Sequence, residues 1–127
     1  IIMDESIKKA RNFRNYKVWR DAVSYATRIY KVTVEMPWFE KKGICDQLQR
    51  AVVSISSNIA EGAAKPSDIE FAHFLDMSLG SAFEVETQLT ISRNIGYISV
   101  DLYESLLDDL TEIERQLNGL IHSLRTG

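Results

Sequence analysis

The chain has 127 residues, of which 45% are hydrophobic and 26% charged, so it can build one folded domain, and disordered and fibrous classes are excluded. The formal net charge of -3 lacks the strong basic excess of many nucleic-acid-binding domains, so any such contact has to be local. Apolar runs fall far short of the roughly 20 residues that cross a bilayer. With no secretory segment and a single cysteine, Cys45, we expect a cytoplasmic protein with no membrane association and a buried thiol.

The first 15 residues carry bases but no periodic apolar pattern. The bases are Lys8, Lys9, Arg11 and Arg14. We therefore predict a flexible basic N-terminal arm over residues 1–15, in front of a helical bundle over residues 16–127.

The first helix is predicted from Lys17, where apolar residues begin to recur at helical spacing. Pro37 disfavours helical backbone at the residue before it, so this helix should end near Glu35. Asn15 is the predicted N-cap. Residues 37–43 then predict a turn, in which we expect Trp38 and Phe39 to cover the end of the bundle.

The second helix is predicted from Asp46 to Gly62, with Gly62 as the C-terminal cap. It carries two stripes at steps of three and four residues. One is apolar and belongs in a core. The other is small and charged, and consists of Asp46, Arg50, Ser54, Ser57 and Glu61. Because serine is a mediocre helix former, the second stripe predicts the close approach of another helix.

The third helix is predicted from Ser67, which opens a capping-box pattern with Glu70, to about Asn94. It is apolar on more than one side, because several large apolar residues fall outside the main core face: Met77, Phe83, Ile91 and Ile95. A single bundle cannot cover all of this surface. The pattern therefore predicts an association surface and a homo-oligomer.

The fourth helix is predicted after Ser99, as N-cap, and has the most regular apolar stripe in the chain. Four helices joined by short turns predict an all-α fold, an up-down-up-down antiparallel four-helix bundle. The predicted core positions are Leu48, Ile55, Phe74, Leu79, Leu106, Leu110 and Leu117.

Two segments carry a family resemblance: SISSNIAEG, over residues 54–62, and FLDMSLGSAFE, over residues 74–84. From about Phe13 onwards, the chain resembles the bacterial 23S rRNA-intervening-sequence proteins, also called S23 ribosomal proteins. The resemblance implies a compact bundle that assembles into a ring, typically a pentamer, and implies no known reaction. The chain is also similar to the accessory variability determinant protein of diversity-generating retroelements, which partners a reverse transcriptase.

The family's signature positions suggest a polar seam between the second and third helices or between subunits. They correspond here to Asn58, Glu61, Gly62, Gly80, Ser81 and Glu84, and Arg50 lies on the same stripe as Glu61. A ligand pocket is the alternative interpretation of this set. We favour a structural role, because buried polar networks more often fix register and assembly.

A metal-dependent enzyme of ferritin-like type is the alternative function. Di-iron bundles use two Glu-x-x-His motifs, and this chain has one, at Glu70 and His73. The only other histidine, His122, has Gly119 three residues before it, so the ligand set is incomplete. We therefore predict no catalytic residue, no metal site and no cofactor.

The leading hypothesis is a non-enzymatic oligomeric scaffold that contacts RNA, DNA or a reverse-transcriptase-like protein. Its predicted nucleic-acid contacts are Lys8, Lys9, Arg11 and Arg14, because a ring would repeat the basic arm and multiply weak phosphate contacts. The fourth helix is acidic from Asp101 to Glu114 and would repel phosphate. A plain assembly module without a ligand is the third possibility.

Overall fold

The computed structural model describes residues 11–127, and all regular structure in that range is helical. The four long helices are α1 (Lys17–Val34), α2 (Ile44–Ala63), α3 (Asp68–Asn94) and α4 (Val100–Thr126), with short 3-10 turns at Phe13–Asn15 and Trp38–Glu40. The predicted all-α fold is confirmed. None of these helices is long and apolar enough to cross a membrane.

The helices form a closed antiparallel bundle in which each packs against its neighbours in sequence, and α1 also meets α4. Three hydrogen bonds mark neighbouring pairs of helices. Ser78 donates to the carbonyl of Ile55 at 2.7 Å, the hydroxyls of Thr90 and Tyr103 lie 2.8 Å apart, and Tyr25 donates to the carbonyl of Leu106 at 3.0 Å. The arrangement is the predicted up-down-up-down bundle.

Serine hydroxyls begin α3 and α4 as expected. Ser67 accepts from the backbone N–H of Glu70 and donates to its carboxylate, and Ser99 accepts from the N–H of Leu102. The predicted cap of α1 is wrong, because Tyr16 occupies that position and Asn15 ends the preceding 3-10 turn.

The core contains most of the positions predicted from the sequence. Leu48, Ile55, Leu106, Leu110 and Leu117 are fully buried. Two members of the predicted set, Phe74 and Leu79, are only partly buried, because each lies at an edge of the core face of α3. Cys45 is buried as expected, and its free thiol lies 3.7 Å from the carbonyl of Thr33.

The turn between α1 and α2 contradicts one expectation. Trp38 and Phe39 do not cover the end of the bundle, because their side chains are 86% and 62% exposed. The last buried residue of this segment before the turn is Met36, just before Pro37. The proline therefore redirects the chain after the last buried side chain, and the two aromatic rings project outwards.

Replacing Leu110 by alanine should lower the free energy of unfolding by about 2 to 5 kcal/mol, because this side chain is 0% exposed and its removal leaves a cavity. Val34→Ala is the control, since Val34 is 78% exposed and its truncation should change stability by less than about 0.5 kcal/mol. Urea unfolding of the two variants measures the difference. Equal effects would contradict the inward face assigned to α4.

Candidate functional site

Small residues lie where α2 contacts α3, and we call this group the α2–α3 seam. It consists of Ser54, Asn58 and Gly62 on α2, with Ser78 and Ser81 on α3. Ser81 donates to the hydroxyl of Ser54 at 2.9 Å, and the side-chain amide of Asn58 donates to the same hydroxyl at 2.9 Å. These are three of the residues that the sequence places on small or signature positions. The network links the two helices because each member is short enough for their backbones to approach.

Gly62 is the point of closest approach in the α2–α3 seam. It is buried inside α2, which continues to Ala63, so its predicted role as a C-terminal cap is wrong. A Cβ atom built on Gly62 would lie 2.6 Å from the Cβ of Phe74 and 2.9 Å from the ring of Phe71. Only glycine leaves room for these two aromatic side chains.

The other predicted seam residues lie on the surface of the chain. Arg50, Glu61, Gly80 and Glu84 are all exposed. Arg50 pairs with Asp46 one turn away at 2.9 Å. Within residues 11–127, no salt bridge involves Glu61 or Glu84. These four residues are therefore outside the hydrogen-bond network of the α2–α3 seam. Their proposed role between subunits stays a prediction.

The side of α3 that faces away from the bundle carries a row of large apolar side chains, which we call the α3 outer face. It consists of Ile69, Met77, Phe83, Ile91 and Ile95, all of which are exposed. Gly80 lies near the middle of this face, with no atom within 4 Å of the position its Cβ would take. The sequence-based prediction that α3 is apolar beyond its core face is confirmed.

The residues just before α1 pack on the bundle, which moves the boundary of the predicted arm. Arg11 donates to the carbonyl of Lys65 at 2.7 Å, pairs with Asp68 and lies 4.8 Å over the ring of Phe71, which leaves its side chain 17% exposed. The predicted arm therefore cannot extend unchanged to residue 15, because Arg11 joins this segment to the turn between α2 and α3.

Arg14 is the other base of the predicted arm within the described residues. Arg14 is exposed, and its guanidinium lies 4.4 Å over the ring of Phe13. Lys8 and Lys9 lie outside the described residues. Of the predicted nucleic-acid contacts in the described range, Arg14 presents its charge to solvent whereas Arg11 uses its charge within the bundle.

Two glutamates on different helices form an unexpected acidic pair. Burial and the neighbouring carboxyl group of Glu86, on α3, raise the pKa of Glu114, on α4, to about 7. One carboxylate oxygen of Glu114 is buried without a hydrogen-bond partner among the described residues. Burial also raises the pKa of Tyr25, and the charges of the two glutamates act in the same direction. Up to about pH 7, the carboxyl group of Glu114 therefore keeps its proton where α4 meets α3.

The residues proposed for the metal-dependent alternative do not form a ligand cluster in the described chain. Glu70 and His73 are exposed at the start of α3, where Glu70 serves the helix cap. Across residues 11–127, no group of three or more histidine, cysteine, aspartate or glutamate side chains is close enough to hold a metal ion. The geometry of the described chain is that of helix packing and surface contact.

These features define a four-helix bundle whose α2–α3 contact depends on small residues and whose third helix also exposes large apolar side chains away from the core. Residues 14–119 match the family described as 23S rRNA-intervening sequence protein, and the chain belongs to this family. No curated protein matches the chain.

One similar solved structure is a protein of unknown function from the S23 ribosomal protein family of Bacteroides thetaiotaomicron. It shares 32% sequence identity with this chain and superposes with a TM-score of 0.73. The match covers 82% of this chain and 97% of that protein. The comparison supports the fold and the family, and it names no reaction.

Gly62→Ala should lower the free energy of unfolding by about 1 to 3 kcal/mol, because the added methyl group overlaps Phe71 and Phe74. Gly119→Ala is the matched control. Gly119 lies inside α4 with open space around it, so alanine there should stabilise by about 0.5 to 1 kcal/mol. Thermal unfolding of both variants tests the close approach, and two changes of the same sign would contradict it.

The stability of the bundle should fall as the pH rises from about 4.5 to about 7. The folded protein keeps the proton of Glu114 up to about pH 7, whereas the unfolded chain releases it near the ordinary pKa of 4.5. The folded state therefore binds more protons in this range, and its advantage declines with pH. Glu114→Gln should flatten the urea midpoint across this range, while Glu104→Gln, on the exposed face of α4, should leave the slope unchanged.

Proposed function

We propose that this protein is a non-enzymatic scaffold of the cytoplasm that assembles into a ring through the α3 outer face and contacts nucleic acid or a nucleic-acid enzyme. The observation that carries this proposal is the row of exposed apolar side chains along α3. Soluble monomers seldom expose contiguous apolar patches beyond a few hundred Å². A row that extends along most of a 27-residue helix is instead typical of an association surface.

A second copy of the chain is the occupant that best fits the α3 outer face. The face carries large apolar side chains from Ile69, near the start of the helix, to Ile95, just after its end, with exposed Glu84 and Thr87 among them, so a partner has to supply a long and largely apolar surface of its own. A neighbouring bundle would supply that surface from a part other than its own α3 outer face, because a ring joins unlike surfaces. Gly80 gives it a place near the middle of the helix where a side chain or helix can come close.

The proposed assembly is a closed ring, most simply a pentamer, as the family resemblance implies. A contact between unlike surfaces of neighbouring copies closes into a ring when the rotation between them allows it. Glu61 and Glu84, which are exposed and outside the salt bridges of the described chain, would then find their partners on a neighbouring copy. This arrangement unites the exposed signature residues with the apolar face.

Nucleic acid is the proposed partner because charge is distributed unevenly over the bundle. The acidic residues of α4, such as Asp101 and Glu104, are exposed and repel phosphate. Arg14, in the predicted arm, and Arg20, on α1, are exposed bases near the start of that helix. Repetition around a ring would multiply such contacts and would make binding depend on salt. A reverse-transcriptase-like protein is the other proposed partner.

A variant of α3 tests the assembly directly. Phe83→Glu combined with Ile91→Glu places charges on the α3 outer face without touching the core, because both residues are exposed in the single chain. The oligomer should dissociate at micromolar concentration, while the helical content of the chain should be retained, because a charge opposite an apolar partner surface is poorly solvated. Sedimentation velocity and circular dichroism measure the two properties.

Val23→Glu is the control, because Val23 is an exposed valine on α1 rather than on α3. It should leave the oligomeric state of the protein unchanged. A native protein that sediments as a monomer would refute the scaffold, and an oligomer that survives both glutamates would place the contact elsewhere on the bundle.

A further inference from the structure

The turn between α1 and α2 presents two large aromatic rings to solvent. Trp38 and Phe39 are 86% and 62% exposed, and their ring centroids lie 6.0 Å apart at an interplanar angle of 81°. The edge-to-face contact leaves ring faces open. Aromatic side chains of this size are normally largely buried, so two exposed neighbours indicate a binding surface.

Hydrogen bonds fix the backbone of the turn that carries these rings. The N–H of Glu40 donates to the carbonyl of Pro37 at 2.9 Å, and the N–H of Lys41 donates to the carbonyl of Trp38 at 3.2 Å. The carboxylate of Glu40 also accepts from the hydroxyl of Tyr97 at 2.9 Å, which ties the turn to the loop before α4. A ligand that stacks on Trp38 therefore loses little affinity to ordering the turn.

A small cleft lies beside Trp38. Its volume is about 230 Å³, and it is lined partly by Val34, Pro37 and Lys41, with Cys45 below. Pockets for drug-sized ligands typically measure about 300 to 1,000 Å³. This cleft is therefore suited to a single ring system rather than to a large cofactor.

Two lysines accompany the rings. Lys41 and Lys42 are exposed, and neither forms a salt bridge with another residue of the described range 11–127. The nearest acid in sequence, Glu40, is engaged with Tyr97. Lysine is depleted in the cores of protein–protein interfaces, so adjacent lysines beside the rings favour an anionic ligand over an apolar protein surface.

We propose that Trp38, Phe39, Lys41 and Lys42 form a binding platform for single-stranded nucleic acid. One base stacks on the ring of Trp38, and the two lysines contact the adjoining phosphates. Stacking on an exposed aromatic ring combined with basic side chains is the general mode of binding single strands, whereas a duplex conceals the faces of its bases. This inference rests on the nucleic-acid part of the proposed function and does not depend on the ring.

The experiment is a titration with a fluorescein-labelled oligouridine RNA of about 12 nucleotides, within the usual range of single-strand sites. Fluorescence anisotropy at two salt concentrations measures binding to the native protein and its variants. Trp38→Ala should weaken binding about 5- to 150-fold, the effect of losing one stacked base. Trp38→Phe should restore most of the affinity, because it retains an aromatic face.

Val100→Ala is the matched control for a general apolar effect, because Val100 is an exposed apolar residue at the start of α4 that does not line the cleft. It should leave the affinity for RNA within twofold of native, roughly the scatter of a small surface change. Lys41→Ala combined with Lys42→Ala should lower the salt dependence of binding, by roughly 0.7 in the logarithmic slope for each lysine. All variants should retain the native thermal midpoint, since the substituted side chains are exposed.

A Lys8→Ala, Lys9→Ala variant separates this platform from the predicted arm. RNA binding that survives Trp38→Ala and is lost in the Lys8→Ala, Lys9→Ala variant would overturn the platform and leave the proposed function intact. Absence of RNA binding by the native protein at low salt would overturn both nucleic-acid proposals, while sedimentation would still report the scaffold. A fluorescence shift of Trp38 with phosphatidylglycerol vesicles and none with RNA would overturn the platform in favour of a lipid surface.

Discussion

The close approach of α2 and α3 at Gly62 is the contact on which the rest of the bundle depends. Because Gly62 has no side chain, Phe71 and Phe74 pack directly against the backbone of α2. Hydrogen bonds from Ser81 to Ser54 and from Ser78 to the carbonyl of Ile55 maintain the same register further along the two helices. Helices α1 and α4 contact each other less extensively than α1 contacts α2 or α4 contacts α3. The central pair therefore sets the spacing of the whole bundle.

The third helix serves two surfaces at once. Its inner side packs into the core, where Leu75 and Leu89 are fully buried, while its outer side exposes Phe83 and Ile91. A helix in a single soluble bundle usually has one polar side, whereas the outer side of α3 mixes large apolar residues with polar ones such as Glu84 and Thr87. Large apolar residues on two sides of α3 thus explain both the stability of the chain and the surface that we assign to its assembly. No residue has to serve both roles.

The periodicity of the sequence predicted the four helices and most of the core, because burial repeats every three or four residues. It misplaced Gly62, since glycine suits both a helix end and a close contact, and Phe74, which decides between them, lies on another helix. The expectation that Trp38 covers the end of the bundle was also wrong, because Pro37 turns the chain outwards. The raised pKa of Glu114 depends on Glu86, 28 positions away, so no local pattern could reveal it.

The antiparallel order places Arg11 at one end of the bundle and Trp38 at the other. The two ends are separated by about 40 Å, the length of a 27-residue helix such as α3 at 1.5 Å per residue. The bundle consequently acts as a spacer with a fixed length. A flexible strand shorter than this distance can reach only one end of a given chain, whereas a longer one can bridge both.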